Sequence, residues 1–506
     1  MALPSVTFHA SLHRALWRDR RNSRPLIQSH RDRSLKFLLR HARWHVPFQR
    51  ARLSGVDLQD IRLEDIPPTD KTEMMASFNQ TIADGAVTLD EVLRTDSDPH
   101  QLRLPIIRGK YIVVKTSGTS GKPSWLVCEM GDWATLLAAT YARMARNWLT
   151  PRRLACSLFR PLKTATVAAE HAHSMTWQGA RSAGRWAGPF GRSRFFSVID
   201  SVDHIVAGLN EFRPDHLHAY PTAAETLARY QLDGRGDIFQ PQLISVGSEP
   251  LTRIARETIR QAFPNTRLVD HYGMSECLPL STECRHGRKH INADYAILEP
   301  RDAQGRPVAD GELSDHVLIT NLVNRAQPII RYRVDDSVRI NANPCACGSI
   351  LPVVEIFSRK GSLIHLRNDL GSWQILSPPI AVDTMLHAQG VAQYQIAHVR
   401  QNEVEVRFLP VMGAAPEQVA RSIRDQFSHV MNRLGCDRTV NVLVKRVDEF
   451  QRTGVGNKLQ QMISLVEPPA LPSTVQAATF DDLTHHWHSD ALYTAALPAD
   501  GASVAG

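Results

Sequence analysis

The stretch VKTSGTSGKPSWL, residues 114–126, sets hydroxyl side chains, two glycines and two lysines between short apolar runs. A strand that opens into glycines and hydroxyls suits a polyphosphate. Glycine lets the backbone come close and take positive φ, and exposed N–H groups form an anion nest. Thr116, Ser117, Thr119 and Ser120 would add donors around Gly118 and Gly121, and Lys122 would add charge. The pattern is not GxxxxGK[ST], because the glycine spacing differs and no hydroxyl follows the lysine. Taken alone, the loop leaves a plain solvent turn open.

Later segments narrow the choice. They are SVGSEPL (245–251), DHYGMSE (270–276), IIRYRVDD (329–336) and RTGVGNK (452–458). With TSGTSGKP (116–123) they resemble, in order, the motifs of the adenylate-forming superfamily: acyl- and aryl-coenzyme A synthetases, peptide-synthetase adenylation domains and luciferases. HAYPTAAETLARY, the CRHG-x-KHIN stretch, ITNLVNRAQPIIRYR and PCACGSILP look like its phenylacetate–coenzyme A ligase branch. Within that branch the chain is most similar to the capsule-biosynthesis-type and deazaflavin-adenylylating subgroup. The resemblance covers about residues 100–460.

The reaction implied is attack of a carboxylate on the α-phosphorus of ATP, giving an acyl-adenylate and pyrophosphate. Both reactants are anionic, so the site must neutralise charge and align the attack. On the resemblance, the Thr116–Lys122 loop would hold the β- and γ-phosphates. Glu276 would hold magnesium, a hard cation that takes oxygen ligands, and Ser275 would bond the α-phosphate. Ser275 as a helix N-cap is the structural alternative. Tyr272 would stack on adenine, within the segment His271, Tyr272, Gly273 and Met274. Gly247, Ser248, Glu249 and Pro250 would line the base, with Gly247 and Ser248 leaving room for it. Asp336 would accept the ribose hydroxyls, although Asp335 replaces the usual glycine beside it. Arg359 aligns with an arginine before the family's hinge, whose acid would fall at Gly361. Lys458 would be the catalytic lysine bridging carboxylate and α-phosphate. Here Asn457 intervenes where the family has Gly-Lys, and a solvated lysine at a helix start is the alternative. Tyr220 and Pro221, with His218 and Ala219, lie where relatives line the acid pocket. His171 and His173 follow the loop FRPLKTATV and are further substrate candidates.

The cysteines raise a second chemistry. Cys345 and Cys347 stand two apart, and Cys284 with His286 repeats that spacing upstream. Four such ligands would close a tetrahedral structural zinc site; reduced cysteines in turns are the alternative. Cys277 directly follows Glu276. Seven scattered cysteines argue for a reducing compartment and against a disulfide framework.

These residues need a scaffold. At 506 residues the chain is long enough for two or more domains, and 43% apolar with 22% charged residues is a globular composition. No run is apolar enough to span a bilayer, and no secretion signal is visible, so the expected location is cytoplasmic. The net charge of +8 suits a polyanionic ligand such as ATP or coenzyme A as well as nucleic acid. No nucleic-acid motif accompanies it, and none is expected as partner. The basic segments 13–24 and 30–53 mix arginine with Leu, Phe and Trp at helical spacing, which reads as surface helices packed on the body.

The expected fold class is α/β. A helical region at 1–104 packs on an adenylate-forming core at 105–358, with mostly parallel sheets, flanking helices and a β-rich part from about 290. A smaller mobile α+β domain follows at 359–466, then a poorly ordered tail at 467–506. Strands are expected at 111–115, 241–247, 266–273, 316–320, 403–409 and 440–447. Helices are expected at 131–149, 201–212, 222–232, 251–263 and 416–434.

Three functions compete. The first is an acid–thiol ligase that activates an aromatic or medium-chain acid and passes it to coenzyme A or carrier-protein phosphopantetheine. The second is an adenylyltransferase or amide-forming ligase with a non-thiol acceptor. The third is a non-catalytic nucleotide-binding relative, suggested by Asp335, Gly361 and Asn457. A homodimer is compatible with each.

Overall fold

The computed structural model describes residues 2–466 except 97–102, 117–123, 147, 169, 171, 199, 249–250, 252, 360–363, 372, 377–380, 382–383, 386–387, 411–412, 449, 451, 454–457 and 460–461. The chain begins with helices Ala2–Arg21 and Arg24–His45. Phe8, Leu12, Ala15 and Leu16 recur at helical spacing and join the core of the Met130–Met144 helix, with Trp133, Leu136 and Leu137. Charge is buried with them. Arg18 Nε donates to Asp294 at 3.0 Å, and Arg143 donates to Asp294 at 2.8 Å and also to Asp19. Burial alone would raise the Asp294 pKa, but Arg143 and Arg18 outweigh it and hold the carboxyl below its ordinary value. Such charges are tolerable in an interior only as a complete set. The first basic segment therefore packs on the body.

The antiparallel strands β1 (Ile106–Ile107), β2 (Tyr111–Lys115) and β3 (Trp125–Glu129) form a small sheet. The main sheet draws on β4 (Leu162–Ala168), β5 (Gly191–Ser197), β6 (His216–Ala219), β7 (Leu243–Val246), β8 (Arg267–Met274), β9 (Cys277–Glu283) and β10 (Lys289–Ile291). After them come β11 (Ala296–Arg301), β12 (His316–Asn321), β13 (Tyr332–Val334), β14 (Asp336–Asn341) and β15 (Val353–Arg359). The main sheet has the order β14-β15-β10-β9-β8-β7-β6-β4-β5, and β11, β12 and β13 make a separate antiparallel sheet.

The main sheet bears out the α/β fold class, and its pairing is mixed. From β5 to β8 every pairing is parallel; from β8 to β14 every pairing is antiparallel. Helices Val202–Phe212, Pro221–Leu232 and Arg253–Ala262 connect the parallel strands, as crossovers must. The two-residue turn after β8 leaves no room for a crossover, so pairing there switches direction. FRPLKTATV, read as a loop, is instead largely β4, at the heart of the parallel half.

A further apolar cluster runs from Ile364 to Met462. It joins strands β16 (Ile364–Arg367), β17 (Trp373–Leu376), β18 (Val391–Arg400), β19 (Glu403–Pro410) and β20 (Asn441–Arg446) with helix Pro416–Arg433. The last strands are β21 (Arg452–Thr453), β22 (Lys458–Leu459) and β23 (Met462–Ser464). The tail at 467–506 lies outside the described residues. Among the described residues no helix is long and apolar enough to cross a membrane.

Candidate functional site

The candidate residues gather at one end of the parallel half. Tyr220 and Pro221 follow β6, Gly247 and Ser248 follow β7, and Ser275 and Glu276 follow Met274 at the end of β8. These strands are neighbours, so all three segments open at the carboxyl edge of one sheet, where open α/β sheets bind ligands.

The glycine-rich loop joins β2 to β3. Thr116 N donates to Ser124 O at 2.9 Å, and Ser124 N donates to Thr116 Oγ1 at 2.8 Å. The loop's foot is thus clamped at Thr116. Ser117, Gly118, Thr119, Ser120, Gly121 and Lys122 lie outside the described residues. Beneath the loop, Lys115 Nζ bonds Asp96 at 2.5 Å and sits 4.8 Å over the Trp125 ring.

Tyr272 and Asp336, read as the adenine and ribose contacts, meet: the phenol donates to Asp336 Oδ2 at 2.5 Å. Asp336 is 6% exposed. Asp335 is exposed and pairs with Arg333 at 3.2 Å. Of the two aspartates, Asp336 is the one that meets Tyr272. The β14–β15 register sets Arg359 opposite Asp336 on the backbone. Gly273 has a steric cause: a Cβ there would lie 2.1 Å from the Leu278 carbonyl oxygen, at the point where the β8–β9 register shifts.

Ser275 and Glu276 form the turn between β8 and β9, so Ser275 caps no helix. Asn321 Nδ2 holds the Glu276 carbonyl at 2.9 Å. The Tyr332 hydroxyl bonds the Glu276 carboxylate, and burial together with that charge pushes the phenol's pKa far up. Tyr332 was missed in the sequence, although it lies within the IIRYR segment. Cys277 is fully buried and its thiol is pushed up by desolvation, so it is inert.

Gly247 does not leave room for a base on its Cβ side. A Cβ there would lie 2.3 Å from the His271 ring, so the glycine makes space for an imidazole. Ser248 takes φ +70°, and its hydroxyl lies 3.2 Å from that of Thr176. Glu249 and Pro250 lie outside the described residues. Under this edge His216 and His218 share the Ser245 hydroxyl, at 2.7 and 3.0 Å, and the His218 ring lies 5.4 Å from that of His271. Burial, then neighbouring imidazoles, push His216 and His218 down to about 3, and burial pushes His271 to about 4. All three are neutral at pH 7. A histidine whose folded pKa is lowered contributes full stability above its unfolded pKa, about 6.5. That stability is lost as pH falls toward the folded value. Urea midpoints should therefore drop between pH 6.5 and 4, and a His216→Gln/His218→Gln variant should show a flatter dependence. An unchanged slope would contradict the assignment.

His173 is structural. It is 3% exposed, bonds Thr95 Oγ1 at 2.9 Å, and meets Trp125 edge-on at 5.2 Å. His171 lies outside the described residues. Lys458 is in β22, with Thr453 of β21 opposite it, rather than at a helix start.

The cysteine cluster has a corrected ligand set. Cys284, His290, Cys345 and Cys347 bring their ligand atoms within 4.8 Å of one another. His286 is not among them; it is exposed and faces Arg285. The β9–β10 register explains the exchange. His290 pairs with Thr282, two residues from Cys284, so His290 and Cys284 share one sheet face while His286 sits in the turn. Cys284 Sγ and Cys345 Sγ are 3.9 Å apart, close to the roughly 3.8 Å expected across a tetrahedron with Zn–S near 2.3 Å. Backbone N–H groups of His286 and Ser349 donate to Cys284 and Cys347 Sγ at 3.4 and 3.3 Å. His290 Nδ1 lies 2.8 Å from Leu351 O, leaving Nε2 for the cluster. Asn22, between the first two helices, bonds Gly348 O and Ile350 N and holds the second cysteine turn. The donors and their spacing fit zinc.

The AMP-binding enzyme family matches residues 25–314. Protein CapK of Staphylococcus aureus is 29% identical over 149 residues, 29% of this chain and only 31% of CapK. A phenylacetate–coenzyme A ligase of Thermus thermophilus is 24% identical over 479 residues, covering 89% of this chain and 94% of that protein. The crystal structure of a 2-hydroxyisobutyryl-CoA ligase in complex with an acyl-AMP superposes with a TM-score of 0.58 at 18% identity, over 86% of this chain and 88% of that one. This last likeness concerns the fold.

Proposed function

The chain belongs to the AMP-binding enzyme family, and we propose that it uses ATP to activate a carboxylic acid as an acyl-adenylate, releasing pyrophosphate, and then passes the acyl group to the thiol of coenzyme A. The observation that carries this reading is the Tyr272–Asp336 hydrogen bond at the carboxyl edge of β8, one turn from Glu276. It puts a ring able to stack, a carboxylate suited to paired hydroxyls and a candidate magnesium ligand within one short segment of the fold. The Thr116–Lys122 loop would hold the β- and γ-phosphates, and Ser275 the α-phosphate. Glu276 would hold magnesium, which when bound screens the phosphate charge. Lys458 would bridge the two reacting anions. The acid would enter beside Tyr220 and Pro221. An aromatic acid heads the panel to test, because a relative is a phenylacetate–coenzyme A ligase. ATP and coenzyme A as substrates suit a cytoplasmic setting.

The test is ATP–pyrophosphate exchange with a panel of aromatic and medium-chain acids, followed by capture with coenzyme A, a phosphopantetheinylated carrier protein or an amine. Exchange followed by thioester on coenzyme A supports the proposal. Capture only by the carrier protein or the amine moves it to those acceptors. No exchange with any acid removes the enzyme reading in favour of a non-catalytic nucleotide binder.

Asp336 and Asp335 give a sharper check. Asp336→Asn is expected to raise the KM for ATP about tenfold, since a charged acceptor for two hydroxyls is lost. Asp335→Asn, on the exposed Arg333 pair, should change it less than about twofold. Equal effects would remove the ribose role of Asp336.

We also propose that Cys284, His290, Cys345 and Cys347 hold one structural zinc ion, with all four positions filled by protein and none left for chemistry.

A further inference from the structure

A groove of about 420 Å³ is lined by Arg103, Leu104, Ile106, Trp177, Arg181 and Arg185. Its walls follow from the local fold. Helix Met175–Trp186 carries Trp177, Arg181 and Arg185 at four-residue intervals, which puts them on one face. The opposite wall is the chain entering β1. Pro105 O accepts from Val113 N at 3.1 Å, and Ile106 pairs with Ile112. The helix is tied to the same strand by Gln178 Nε2, 2.6 Å from Val113 O. Its first turn meets the β7 segment through Thr176 and Ser248. The groove therefore runs alongside the candidate nucleotide site without sharing its residues.

Its chemistry is cationic and incompletely satisfied. Arg103 and Arg181 have no carboxylate partner among the described residues; Arg181 lies 5.2 Å over the Trp177 ring. Trp177 is 1% exposed, and its indole N–H has no acceptor among the described residues. Three guanidinium groups around a concavity of this size match a phosphate group with part of the molecule that carries it. We propose that this groove binds the phosphate-bearing end of the acyl acceptor, the nucleotide end of coenzyme A. The assignment of the acceptor rests on the ligase reading above; the phosphate chemistry of the groove does not.

The experiment measures binding to the full chain by calorimetry without ATP, using coenzyme A, 3′-dephospho-coenzyme A and pyrophosphate as probes. ATP–pyrophosphate exchange is followed in parallel. Arg103→Gln/Arg181→Gln is expected to weaken coenzyme A binding about tenfold or more while exchange stays within about twofold, and Arg181→Lys should restore part of the affinity. Both arginines are exposed, so folding is not at stake. Weaker binding of dephospho-coenzyme A than of coenzyme A assigns the groove to the 3′-phosphate. Pyrophosphate bound as tightly as coenzyme A, and lost in the double variant, assigns it to a free phosphate anion and overturns the acceptor. Coenzyme A binding unchanged in the double variant, or no probe bound by the wild type, overturns the groove altogether. Absence of exchange with every acid would defeat the ligase reading alone, since the binding arms are read without turnover.

Discussion

Glu276→Gln is expected to lower acid-dependent pyrophosphate release on the order of a hundredfold, the usual scale for removing one preorganised charge-stabilising group. The substitution keeps the side chain's shape and one carbonyl oxygen. The Tyr332 hydroxyl therefore keeps an acceptor, and the Asn321 bond to the backbone is untouched. What disappears is the negative charge that a hard cation needs. Two companions separate the roles. Tyr332→Phe removes only the hydrogen bond that aims the carboxylate, so its loss should be smaller, with raised magnesium concentration recovering part of it. Lys458→Ala should abolish adenylate formation while leaving ATP binding in place. If Glu276→Gln releases pyrophosphate at the wild-type rate, the carboxylate is not the metal ligand and the β8–β9 turn is merely structural.

The second large effect concerns the metal. Purified protein is expected to carry about one zinc per chain, and Cys347→Ser to carry none, with a midpoint of thermal unfolding lower by roughly 5 °C or more. The reason is topological. Cys284 lies at the end of β9, while Cys345 and Cys347 lie between β14 and β15, some sixty residues on. Without the ion, three sulfurs and an imidazole crowd together with no shared partner. His286→Ala, by contrast, should leave metal content unchanged, because that ring faces Arg285. Zinc loss in His286→Ala but not in His290→Ala would restore the spacing-based ligand set and overturn the structural one.

That contrast shows what a linear pattern can and cannot carry. The Cys-x-His and Cys-x-Cys spacings pointed to the right neighbourhood and three of the four candidate ligands. The fourth depends on which side chains share a sheet face, and that is set by pairing between β9 and β10. The strand YIVVK was legible to the residue because its apolar β-branched run is bounded by turn residues. β4 was not legible: LKTATVA offers small and polar side chains, and its buried apolar residues are Ala165, Val167 and Ala168, two of them alanines. The switch from parallel to antiparallel pairing at β8 was hidden too, because Ser275 and Glu276 do not resemble the Asn-Gly or Asp-Gly turns that announce hairpins. At the candidate site, the order of motifs identified Asp336 and Tyr272 separately. Their mutual hydrogen bond, and the support Tyr332 gives Glu276, arise from strands far apart in sequence.

The buried ion set around Asp294 has a practical consequence for anyone shortening this chain. The family match starts at residue 25, which invites excision of everything before it. Such a cut would remove Arg18 and Asp19 together with Phe8, Leu12 and Leu16. Arg143 would lose one of its two carboxylates, and the apolar flank of the Met130–Met144 helix would face water. The leading helix is thus an integral wall of the main body, and a trimmed protein would be recovered as aggregate.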